Sequence, residues 1–392
     1  MMGLGLAALL ASGAFGSYQV VSTNVSHPHP SLDRVVYEIQ VGTSTLNRFS
    51  ITHVQKHGCS SEGSLILLSP FLLPGAFYEV SESGGYIKSA AGRLAQSNVD
   101  LWLVDQRRTG LPPGSCESGA ADCSVMADWN FDTYSNDALF ALGLVKTQNP
   151  WRKPAIGGFS AGSNAALATL NRAPNEFSGL FLYEGTFYTQ DPVIRAHNDA
   201  ICTDLEGKLA AGIVFDPSAA VPGLVLQLVA ADPNGTSPLP FFPPGTTNQL
   251  AMMYVFSAPP PPGAFAPTPG FVRNIGDFAT QTLVNANQDR LELVGPLFDS
   301  YASVAAMRDL ACGLAGRDDS HFDQVSNYRG KVLIDVEGTG FGQAMFDTAD
   351  LLDRANVTID HNPELGEADA YFHQQWTQVF LKPLRRWLRS VF

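Results

Sequence analysis

Between residues 64 and 183 the chain repeats one short phrase: a continuous apolar run, a turn, then a helical stretch. The runs are 64–69 (around Leu65, Ile66, Leu67 and Leu68), 99–104, 155–159 and 180–183, and the helical stretches between them are expected at 86–96, 133–147 and 161–171. A strand apolar on every residue must be covered on both faces, and strands that alternate with helices pair in parallel. This pattern confines the chain to an α/β fold with a mostly parallel sheet and helices on both faces.

The flanks complete the reading. Residues 34–41 and 48–54 alternate apolar and polar around Gly42-Thr43-Ser44, which predicts an antiparallel hairpin. The strand grammar returns at 331–336, followed by a helix at 344–354, a strand at 357–360 and a long helix from about Ala368. Between these halves, residues 188–328 are irregular and rich in proline, with a run of four at Pro259, Pro260, Pro261 and Pro262. Proline cannot donate to a ladder, so this part does not extend the sheet. It reads as an inserted cap with helical pieces at 199–211 and 280–311. The division is therefore a leader at 1–20, an α/β core at 31–187 and 329–392, and a cap at 188–328. No internal repeat is present.

The leader holds an apolar run, residues 4–10, followed by Ala11, Ser12, Gly13 and Ala14. This has the make-up of a signal peptide without the usual basic start, and it is too short to span a bilayer. It predicts a secreted or periplasmic protein; an uncleaved leader would make it an N-terminal anchor. Five cysteines are an odd number. Cys116 and Cys123 suit a local disulfide, Cys202 and Cys312 suit a long one, and Cys59 is then left over. No CxxC or HExxH occurs, so no metal site is read, and neither a P-loop nor a dinucleotide fingerprint implies a cofactor. The sequons at Asn24, Asn234 and Asn356 carry little weight. The net charge of −13 argues against nucleic acid as a partner. The basic residues at 382–389 alternate with Leu384, Trp387 and Leu388, as on the wet face of an amphipathic helix.

The chemistry-bearing motif is Gly158-Phe159-Ser160-Ala161-Gly162, a G-x-S-x-G between a short apolar strand and an alanine-rich helix. A serine on so tight a strand-to-helix turn needs flanking glycines for room. It also places the next N–H, that of Ala161, at a helix N-terminus where an oxyanion can be held.

With that motif in that setting, the chain resembles the α/β-hydrolase superfamily over roughly residues 34–187 and 329–392. Leu103-Val104-Asp105-Gln106-Arg107-Arg108 is similar to the family's strand that ends in Asp-x-Arg. The resemblance implies Ser160 as nucleophile and a second oxyanion N–H in the loop after the strand at 64–69. Pro74-Gly75 is the closer match there by its distance to the following helix, which makes Ala76 the expected donor and Phe71 its rival. Two slots depart from the family. The usual acid position holds Phe341, so Glu184, at the end of the strand at 180–183, is the expected acid, ahead of Glu337 and Asp347. The usual histidine slot holds Glu367. A carboxylate there cannot take and return a serine proton at neutral pH as imidazole does. His361 is therefore the expected base, with His373 and His321 as alternatives, and His27, His29, His53, His57 and His197 read as surface or structural.

These readings predict a secreted serine hydrolase acting on carboxylic esters by acyl-enzyme chemistry at Ser160. The alternative is a catalytically inactive α/β-hydrolase-fold binding protein without a complete triad. The cap residues Phe241, Phe242, Met252, Met253, Tyr254, Phe256, Phe265 and Phe271 either line a pocket for an apolar acyl or aryl ester or form the cap's own core.

Overall fold

In the computed structural model, the described residues are 17–82, 84–257, 272–273, 282–284 and 286–392. The leader residues up to Gly16, the proline run, and Phe265 and Phe271 of the cap lie outside them.

A nine-stranded sheet forms the middle of the molecule. Its strands are β1 (Tyr18–His29), β2 (Leu32–Val41), β3 (Arg48–Lys56), β4 (Gly63–Leu68), β5 (Val99–Val104), β6 (Ala155–Phe159), β7 (Gly179–Tyr183), β8 (Lys331–Glu337) and β9 (Asn356–Asn362). Their order across the sheet is β1-β2-β3-β5-β4-β6-β7-β8-β9. The first three strands and the β3–β5 pair are antiparallel, and every pair from β5 onward is parallel. The hairpin and the parallel runs therefore stand where the sequence pattern puts them. The addition is β1, a strand exposed along most of its length, with Val21 and Val25 at 46% and 57%. With few buried positions it leaves no apolar signal.

The apolar strands divide their side chains between two cores by the two-residue period of a strand. Ile66, Leu68, Trp102 and Val104 enter the core beneath α2 (Phe131–Gln148), α3 (Ala161–Arg172) and α9 (Gln343–Leu351). Leu65, Leu67, Leu101 and Leu103 enter the other, beneath α1 (Ala90–Gln96) and the C-terminal helices α10 (Asp369–Phe372) and α11 (Lys382–Val391). The expected long final helix is interrupted at His373. The carbonyls of Tyr371 and Phe372 accept from Arg290 Nη1 and Asn287 N, both at 2.7 Å, and are thereby drawn away from a helical ladder.

The chain leaves the sheet after β7 and returns at β8. In between run α4 (Pro192–Ala210), α5 (Ala220–Ala231), α6 (Asn248–Ser257), α7 (Gln288–Val294) and α8 (Val304–Leu314). The single helix expected over 280–311 is two, because Gly295-Pro296 ends α7 and a β-like link at Ala302–Ser303 precedes α8. Disulfides join Cys116 to Cys123 and Cys202 to Cys312, the second tying α4 to α8, and Cys59 is free and exposed. Among the described residues no helix is long and apolar enough to cross a membrane.

Candidate active site

Ser160 sits between β6 and α3 with φ 51° and ψ −125°. The turn is possible because nothing else fits around it. A Cβ on Gly158 or Gly162 would strike the backbone of Gly162 or of Leu68. The Ser160 N–H donates to Tyr183 O at 2.8 Å, which fixes the turn against the end of β7. Five described non-glycine residues have positive φ: Leu72, Asn98, Ser160, Glu184 and Ala368. All but Asn98 gather here, in the four loops at the carboxyl ends of β4, β6, β7 and β9. Each such conformation costs on the order of 1–3 kcal/mol, and clusters of them mark functional sites.

The partner of Ser160 is a glutamate. Ser160 Oγ donates to Glu367 Oε1 at 2.8 Å. Glu367 comes from the loop between β9 and α10, and Gly366 N–H and Asp369 Oδ2 close that loop at 2.8 Å. Burial raises the Glu367 carboxyl, the Ser160 hydrogen bond opposes this, and the balance leaves it pushed up to about 7.

Below it, Glu184 is fully buried. Its carboxylate accepts from the backbone N–H groups of Glu337 at 2.7 Å and Phe341 at 2.5 Å. Desolvation pushes this carboxyl well above the ordinary range, and those two N–H groups and the nearby Glu367 charge modify the rise. Glu337 Oε1 accepts from Ala370 N at 2.7 Å and Tyr183 Oη at 3.1 Å, while its Oε2 is buried with no partner among the described residues. Burial also raises Glu337 and Asp335. Asp347 accepts from Thr189 Oγ1 and Gln190 N at 2.7 and 2.6 Å, which ties α9 to the segment that follows β7.

Two cavities meet at Ser160 and Glu367. The larger, of about 390 Å³, is walled by Phe71, Phe131, Ile201, Leu205, Met307, Leu310, Leu314 and Phe341, with His197 and Asn198 from α4. The smaller, of about 210 Å³, is walled by Phe71, Leu73, Phe77, Phe159, Leu226, Val255, Phe256, Leu291 and Phe298. Both are mostly apolar, and among the described residues no lysine or arginine lines either.

The structure brings Ser160, Ala161 and Phe341 together with Glu367 and leaves the expected histidines elsewhere. His361 is exposed on β9, opposite Val336, with its ring edge-on to Phe346 at 5.2 Å, and lines neither cavity. Side chains along an edge strand cannot reach a site three strands away, which corrects the expectation for His361. His373 Nδ1 accepts from Gln375 N at 2.9 Å. His321 is buried between Phe187 and Asp309, with Nε2 at 3.3 Å from Asp309 Oδ2. The structure also places Ala76, the residue expected as second oxyanion donor, away from the serine. Ala76 lies in the 3-10 turn Gly75–Glu79 and lines neither cavity, whereas Phe71 lines both. The Phe71 N–H has no hydrogen-bond partner among the described residues. Ala161 opens α3, so its N–H is one of the orphan donors of a helix's first turn.

No protein-family model matches the chain, and no curated protein matches it. Solved structures do. A candidate lipase from Sulfolobus solfataricus superposes with a TM-score of 0.65 at 18% identity, covering 94% of this chain and 99% of that one. A lipase in an open form superposes with a TM-score of 0.50 at 15% identity, covering 91% and 99%. Sheet order, elbow and these neighbours together define the α/β-hydrolase fold, and the chain has it.

Proposed function

We propose that this protein hydrolyses uncharged carboxylic esters through an acyl-enzyme on Ser160, with Glu367 as the proton-transfer group. The observation that carries the reading is the 2.8 Å contact between Ser160 Oγ and a glutamate whose pKa is about 7. A base does its work best when its pKa lies near the working pH, and burial gives this carboxylate that value in the absence of an imidazole.

Glu367 as carboxylate takes the Ser160 proton as Oγ attacks the ester carbonyl. The oxyanion that forms lies toward the N–H groups of Ala161 and Phe71. Protonated Glu367 then gives its proton to the departing alkoxide, which leaves as the alcohol. In the second half Glu367 takes a proton from water, hydroxide attacks the acyl carbonyl, and the carboxylic acid leaves as Ser160 recovers its proton. Glu184 keeps the β8–α9 turn, and with it Gly340 and Phe341, against the site. The apolar cavities favour a neutral ester with an apolar group on each side of the carbonyl, one per cavity. The names of the two neighbours, both lipases, agree with this class. The leader and the two disulfides support action outside the cytoplasm.

A second reading has one specific support, that the side-chain hydrogen bond of Ser160 goes to Glu367 and to no histidine: a binding protein that holds an apolar ligand without turnover. Turnover of p-nitrophenyl butyrate separates the two. The enzyme reading predicts hydrolysis by the wild type that Ser160→Ala abolishes. Background-level rates in both proteins, with an apolar ligand retained, would establish the binding reading instead.

A further inference from the structure

At the far edge of the sheet, three neighbouring strands bring two histidines onto one aspartate. Asp33 lies on the middle strand, β2. His27 lies on β1, within the register irregularity between Ser26 and His29. His57 follows β3 directly and is fixed by its N–H bond to Ser31 O at 2.8 Å. Both rings present the same nitrogen. His27 Nδ1 is 2.8 Å from Asp33 Oδ1, and His57 Nδ1 is 2.9 and 3.1 Å from Oδ1 and Oδ2. The rings meet edge-on at 6.1 Å, and the three ligand atoms lie within 4.8 Å of one another. Among the described residues no lysine or arginine pairs with Asp33.

We propose that His27, Asp33 and His57 bind a divalent transition-metal ion, with zinc the best match, which clamps the edge strand β1 to β3.

Two imidazoles and one carboxylate form a donor set that zinc takes readily, leaving a position for water. With zinc–nitrogen and zinc–oxygen bonds near 2 Å, tetrahedral donors stand roughly 3.3 Å apart. The present Nδ1–Oδ1 separations need to open by only about half an ångström to admit the ion. The rings are free to make that movement, since the His27 and His57 side chains are 62% and 60% exposed. Binding needs Nδ1 unprotonated, so each neutral ring ligates through Nδ1 with its one proton on Nε2, and the contacts of the two rings with Asp33 give way to three coordinate bonds. The strand concerned has a use for a clamp. β1 is twelve residues long, lies at the sheet edge and is largely exposed, the kind of strand that frays or pairs with other chains.

The test uses the whole chain carrying Cys59→Ser, which removes a thiol that would capture zinc by itself. The protein is stripped with chelator, desalted and titrated calorimetrically with zinc chloride at pH 7.5. The expected result is one zinc per chain, weakened roughly 100-fold in His57→Ala and in Asp33→Asn. Saturating zinc should raise the Tm of the parent and leave that of the His27→Ala/His57→Ala double variant unchanged. A parent that binds no zinc, or a double variant that binds it as tightly as the parent, overturns the proposal.

Discussion

Two regions of the molecule bury carboxylates, and they do so in opposite ways. Under the N-terminal strands, Asp137 receives Arg107 through Nε and Nη2 at 2.8 and 2.7 Å and the Tyr18 hydroxyl at 2.8 Å. Burial pushes this carboxyl up, and the guanidinium pulls it back. At the carboxyl ends of β7, β8 and β9, Glu184, Glu337, Asp335 and Glu367 lie close together without an ion pair to any of them among the described residues. Here desolvation is opposed only by neutral hydrogen bonds, among them those from Ser160 to Glu367 and from backbone N–H groups to Glu184 and Glu337. The first arrangement keeps a fixed charge for structure. The second pushes its carboxyls up, Glu367 to about 7, which is the range the proposed proton transfer with Ser160 needs.

The comparison breaks most visibly in turnover. Glu367→Gln keeps the shape and the hydrogen-bonding reach but removes the basicity, so ester hydrolysis should fall about 10²–10⁴-fold. The elbow and both cavities should remain, which retention of an apolar ligand would show. Next in size is the ion pair. Arg107→Ala leaves Asp137 buried without its counter-charge and should cost about 3–5 kcal/mol in denaturant unfolding. A loss below about 1 kcal/mol would mean that the two regions are not electrostatically distinct.

The smallest effect has the opposite sign. An acid whose pKa is raised by folding holds its proton more tightly in the folded state. The charged form therefore burdens the fold, with no penalty below the ordinary carboxylate pKa and the full penalty above about 7. Glu367→Gln should match the wild type near pH 4 and exceed it by about 3 kcal/mol near pH 8. Equal stabilities at both pH values would show that Glu367 is not held in a desolvated site.

The same contrast explains what the sequence discloses. The sheet is legible because its strands are apolar on every residue, and the elbow because glycines are obligatory around Ser160. β1 is not legible, since an exposed edge strand carries no periodic apolar signal. Position 367 can be located from the loop between the last strand and the last helix, yet its chemistry cannot. A glutamate has an ordinary pKa until the fold removes water from it, and that removal depends on Glu184, Ser160 and the cavity walls meeting in space. Ala76 misleads for a related reason. Counting back from α1 assumes a direct loop, whereas the 3-10 turn at Gly75–Glu79 takes up the intervening residues and leaves Phe71 beside the serine. The strained residues Leu72, Glu184 and Ala368 have no sequence signature at all, because none is a glycine or an asparagine.

The central claim is that Ser160 owes its reactivity to Glu367. The direct measurement is the rate of covalent labelling by a fluorophosphonate probe as a function of pH, in the wild type and in Glu367→Gln. The account predicts a wild-type rate that rises through a single ionisation near pH 7, and a slow, nearly flat rate in the variant. Labelling of Glu367→Gln at the wild-type rate, or a wild-type profile without an ionisation near pH 7, would contradict it.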